Sequence, residues 1–197
     1  EQVAFLRHLK AYEAGGYGIQ VAQQSLGGAS SALSVVVTGK FVISALGMVL
    51  LVFLTDFVKI ALSADRVRPS PTPESWKIGP LVRVAVVLGV CMLAESLGIL
   101  AIGWRTFDLA SNQGRLETFT FETLLFFSGF SILSIRERRA FWRSRPSTPM
   151  LVALGADALV GMAIGVFGFA ELRPLPPAWI ALIFACAGIL SLGVNDL

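Results

Sequence analysis

The chain has 197 residues, 55% hydrophobic and only 15% charged, with a mean hydropathy of +0.73. A soluble domain of this size would cover itself with Lys, Glu, Arg and Asp, so the composition points away from one. The net charge of +3 and pI near 9.2 do not indicate a nucleic-acid partner, because the basic residues sit in short loops between apolar runs.

Crossing a bilayer takes about 20 apolar residues in a helix. The expected fold is therefore all-α, a polytopic transmembrane helix bundle of five to six spans, with the lipid bilayer as its first partner. Residues 1–39 form an N-terminal segment and residues 40–197 the bundle. Within the first segment, residues 14–39 are uncharged and long enough to cross. Residues 18–28 are too polar for a good span, so this is either a degenerate first span or none.

The next runs fall at residues 41–63, 84–104, 119–135, 149–170 and 178–194. Residues 41–63 contain Asp56 and Lys59, residues 84–104 contain Glu95, and residues 149–170 contain Asp157. Glu122 stands near the start of 119–135, where it is expected to lie at a membrane surface and be solvated. The loop 64–83 carries Arg66, Arg68, Lys77 and Arg83, and the loop 136–148 carries five arginines. The intervening loops hold only Arg105 and Arg115, and Arg173. By the positive-inside rule both basic loops and the C-terminus are cytoplasmic. All four tryptophans (76, 104, 142 and 179) fall at or beyond span ends, as an interfacial belt requires.

An ionised acid deep in a span costs about 2.5–3.5 kcal/mol and is functional by default. Asp56 lies seven residues, about 10 Å, from the end of its run. It must pair, face water or take up a proton. Lys59, three residues on and on the same face, is its candidate charge partner, which leaves transport and structural pairing both open. Glu95 and Asp157 complete the candidate ion pathway. Asp157 is flanked by Gly155, Ala156 and Ala158, so a packing hydrogen bond between close helices is the alternative. Gly161 and Gly165 form a small-xxx-small pair, read as intramolecular packing.

No catalytic residues emerge. Thr38-Gly39-Lys40-Phe41 fails as a phosphate loop, because Ser34 stands at the position of the first glycine and Phe41 at that of Ser/Thr. One histidine, His8, and no Cys-x-x-Cys give no support for a metal site. Cys91 and Cys186 lie inside apolar runs, so no disulfide is expected. Pro69, Pro71 and Pro73, alternating with Ser70 and Thr72, favour an extended strip after the first charged span, as a spacer or a docking surface.

Thr55-Asp56-Phe57, followed by Asp65-Arg66-Val67-Arg68-Pro69-Ser70-Pro71-Thr72-Pro73-Glu74-Ser75-Trp76, resembles the P-type ATPases, most closely the plasma-membrane proton-exporting branch. The resemblance covers roughly residue 37 to the end. It implies that residues 41–63 are the sixth membrane helix, that four more follow, and that Asp56 is the proton-carrying acid. It further implies that the chain is a C-terminal fragment or truncated homologue of the membrane domain, with the remaining domains of such a pump as partners and protons or small cations as cargo. The family's Asp-Lys-Thr-Gly-Thr phosphorylation motif is missing here, as are the actuator Thr-Gly-Glu loop and the nucleotide-binding domain. No cofactor is therefore expected in this chain, ATP and Mg²⁺ belonging to those missing domains, and it would not hydrolyse ATP alone. Thr55 stands where the family usually has Asn, and residues 14–39 lack the basic partner that the family's fifth helix supplies. Residues 18–38 faintly resemble the end of the phosphorylation domain. The alternatives are a P-type pump for Mg²⁺ or another cation, and a self-standing small channel or scaffold.

Overall fold

A computed structural model of the chain describes residues 40–63, 78–135 and 146–193. The 14–39 candidate span, the proline-rich strip, the arginines of the 136–145 loop, Trp76, Trp142 and the last four residues lie outside the described residues. Those described contain five α-helices, one short 3-10 turn (Leu109–Ser111) and no strand. The helices are α1 (Ala45–Ser63), α2 (Ile78–Thr106), α3 (Gln113–Ile135), α4 (Thr148–Phe167) and α5 (Pro177–Gly193). Each of the five apolar runs 41–63 to 178–194 therefore contains a helix.

Local chemistry sets several boundaries. Ser44 caps α1, its Oγ accepting from the Gly47 backbone N–H at 3.1 Å, so the helix starts at Ala45 and leaves Phe41 outside. Asn112 caps α3 in the same way, accepting from the Arg115 N–H at 3.1 Å. That cap starts the helix at Gln113, six residues before the apolar run that marks it in the sequence. Pro149 sits in the first turn of α4, where a missing N–H costs nothing. α4 ends at Phe167, three residues before its apolar run does, because Gly168 takes φ +76°. A Cβ there would meet the Leu172 carbonyl oxygen at 2.8 Å.

Among the described residues three helices are long and apolar enough to cross a membrane: α1 over Ala45–Leu62, α3 over Gln113–Ser134 and α4 over Thr148–Phe167. They differ in surroundings. Within these windows 72% of α3 is buried, against 22% of α1 and 22% of α4. α3 packs against every other helix and is the centre of the bundle. Its polar side chains follow from that position. Thr120 and Thr123 donate to the Leu116 and Phe119 carbonyls one turn back, so these two buried hydroxyls are satisfied within the helix. Its aromatic residues fill the seam with α5, where Phe184 takes Phe126 edge-on at 5.2 Å and Phe130 at 5.1 Å.

α3 and α4 run antiparallel in a clear register. Thr118 donates to the Arg173 carbonyl just beyond α4, Gly129 faces Leu154, and Ile132 clusters with Met150 and with Val58 of α1. Phe107 stacks on Trp179 at 4.1 Å, and the Arg173 N–H donates to the Gly114 carbonyl. The α2–α3 and α4–α5 connections thus share one end of the bundle. These are the two loops poor in basic residues, so their common location agrees with the alternation read from the sequence.

Candidate functional site

Five carboxylates stand on the described helices: Glu117, which accepts from the Gln113 side chain at 2.9 Å in the first turns of α3, and four more deeper in the bundle. Asp56 faces outward. It lies on α1 with Val49, Phe53 and Ile60, a stripe exposed along the outside of the bundle, while Leu54, Thr55 and Val58 face inward. Its Oδ1 accepts from the Lys59 Nζ at 3.0 Å, with 47% of the Asp56 side chain and 15% of Lys59 exposed. The pairing alternative considered for Asp56 is therefore present. The face that carries the pair is nonetheless open. Beside it, the Thr55 hydroxyl donates back to Leu51 and Val52 and leaves no free donor pointing at Asp56.

Glu95 is partly buried on α2, a helix whose main neighbours are α3 and α5. Asp56 and Asp157 stand on α1 and α4, Asp56 half-exposed and Asp157 buried.

Asp157 faces inward, and a second buried acid among the described residues is one the sequence reading put elsewhere. Glu122 is not solvated at a surface: it is fully buried at the centre of α3, nine residues or about 14 Å past the helix start. The error came from the helix boundary, since a start at Gln113 in place of Phe119 carries Glu122 inward by nearly two turns. Opposite it, α4 presents Asp157, Gly161 and Gly165 at successive turns, and all three are buried. The two glycines make the room. A Cβ on Gly165 would meet Glu122 Oε1 at 2.6 Å, and one on Gly161 would stand 3.4 Å from Oε2 and press on Leu125. The small-xxx-small pair does serve intramolecular packing, and what it packs against is a carboxyl group.

Neither oxygen of Glu122 meets a donor in hydrogen-bonding geometry among the described residues, nor does Oδ1 of Asp157. The Gly165 backbone stands directly against the Glu122 carboxyl group. Among the described residues Asp157 Oδ1 makes no packing hydrogen bond. Buried carboxyl oxygens are ordinarily satisfied, because an unmet one costs about 1–3 kcal/mol. The sequence did carry a signal for Glu122. A helix dotted with Thr and Ser through its whole length is one surrounded by protein, and an acid within it is enclosed too.

Among the described residues no three His, Cys, Asp or Glu side chains converge as a metal-binding group. What the arrangement offers is two carboxyl groups enclosed within the bundle, on α3 and α4. No protein-family model matches the chain.

Proposed function

We propose that this chain supplies the late membrane helices of a P-type proton-exporting ATPase, set in the plasma membrane with its C-terminus cytoplasmic, and contributes to the proton pathway. The observation that carries the reading is the position of Asp56 on an open apolar stripe of α1. An acid turned toward hydrocarbon costs about 2.5–3.5 kcal/mol even when it can pair. Further membrane helices laid over Val49, Phe53 and Ile60 would remove that cost and enclose Asp56 in a protein-lined path. In the resemblance drawn from Thr55-Asp56-Phe57 and the proline-rich tail, those helices belong to the earlier part of the pump's membrane domain. Energy coupling would come from its phosphorylation and nucleotide-binding domains. The 3.0 Å pair with Lys59 favours the rival, a self-standing scaffold or channel in which Asp56 is structural.

Asp56→Asn in the complete pump separates the two. Proton uptake driven by ATP into inside-out vesicles should be abolished at unchanged expression, whereas undiminished pumping rejects the carrier role. Orientation has its own check. Ser111→Cys and Ser144→Cys should react with an impermeant maleimide from opposite sides of the membrane, and labelling from the same side overturns the topology.

A further inference from the structure

We infer that Glu122 and Asp157 form a second proton-binding site, in the α3–α4 interface and separate from Asp56. Four observations converge on it. Glu122 is fully buried and both of its oxygens lack a donor among the described residues. The side chain enters a cradle that exists only because Gly161 and Gly165 have no Cβ. Asp157 lies one turn from Gly161 on the same buried face, with Oδ1 also unsatisfied. The pair stands nine or ten residues from either end of α4 and nine from the start of α3, at the depth of a bilayer midplane.

Two carboxylates enclosed together cannot both stay charged without a compensating cation. Among the described residues Glu122 makes no ion pair, and Lys40 and Asp108 lie outside the helices. On α1, Lys59 is joined to Asp56. α2 carries Arg83, Glu95 and Arg105, and α5 carries no charged residue at all. On α3 itself Arg115 and Glu117 stand in the first turns, and the α4–α5 connection adds Glu171 and Arg173 near that same end. A proton is the counter-charge that fits the space, since the glycine cradle is filled by the carboxyl group itself. Loading forms one O–H bond on an ionised Glu122 oxygen and breaks one in a hydronium ion, leaving water. Release reverses that exchange, or breaks the Glu122 O–H bond as one forms on an ionised Asp157. The site extends the proposed proton pathway, but its test needs no ATPase domain.

The test is infrared difference spectroscopy on the whole chain in phosphatidylcholine vesicles, titrated from acid to alkaline pH. The expected result is a protonated-carboxyl carbonyl band that persists at neutral pH and shifts in D₂O. Glutamate labelled with ¹³C at the side-chain carboxyl should shift the band without any substitution. Glu122→Gln should remove it at unchanged helix content, and Asp157→Asn should keep it but move its pH midpoint. Absence of such a band at neutral pH overturns the proposal, as does a band that survives Glu122→Gln or ignores the isotope label. Loss of the band on adding Na⁺ or K⁺ at constant pH would also overturn it, by making this a cation site. If Glu122→Gln fails to fold, Glu122→Met takes its place, the isotope shift showing that the band belongs to a glutamate and the substitution showing which one. Because no pumping is measured, failure here leaves the Asp56 assignment standing, and failure of Asp56→Asn leaves this one.

Discussion

Gly165→Leu should destabilise the bundle by about 3 kcal/mol, at the upper end of what overpacking usually costs. The first added carbon would already lie 2.6 Å from Glu122 Oε1 and 2.8 Å from Ile180 Cδ1. Three more carbons must then enter a seam shared by α3, α4 and α5. Neither neighbour can simply swing away, because Glu122 and Ile180 are both buried. Gly155→Leu on the same helix is the control. Nothing lies within 4 Å of its Cβ position and the residue is exposed, so its effect should stay within about 0.5 kcal/mol. Unfolding of the purified chain in mixed micelles, titrated with dodecyl sulfate, reads both. Equal midpoints for the two variants would mean that the α3–α4 interface is not the one described. A double-mutant cycle refines the result. Gly165→Ala should cost less in a Glu122→Ala background, with a coupling of about 0.5–3 kcal/mol, since the nearer of the two obstructing atoms has gone.

Much of this architecture was legible in the chain because apolar run length is a strong and local signal. Each run from 41–63 to 178–194 contains a helix, and the charges at Asp56 and Lys59 meet as three-residue spacing requires. Boundaries were less legible, since they are set by single side chains. Ser44 and Asn112 each start a helix through one hydrogen bond, and Gly168 stops one through one dihedral angle. The candidate site suffered most from this. Glu122 looked superficial because Gln113–Glu117 read as loop, although a capping asparagine at 112 makes that stretch helical. The pairing of α3 with α4 was not legible at all. Small residues mark where helices can approach, but not which partner arrives or that it brings a carboxyl group.

Glu122→Met should make the bundle more stable, by about 1–3 kcal/mol, the cost of enclosing a polar group whose hydrogen bonds are unmet. Methionine is unbranched, close to glutamate in length, and adapts to irregular space, so the glycine cradle and the Leu125 contact can be kept. Removing an unsatisfied buried polar group in favour of an apolar one of similar shape is commonly neutral or stabilising. Loss of stability would instead mean that Glu122 holds the helices together through donors that form in the membrane, and its role would then be structural. The sign of the change is therefore informative where its size alone would not be. A residue that weakens the fold it sits in, at the centre of the most enclosed helix, is one that a chain selected only for stability would not keep. The same variant should lack the carbonyl band assigned to Glu122 while unfolding at a higher detergent fraction. Those two outcomes in one molecule would separate what Glu122 does for proton binding from what it costs the packing of α3 on α4.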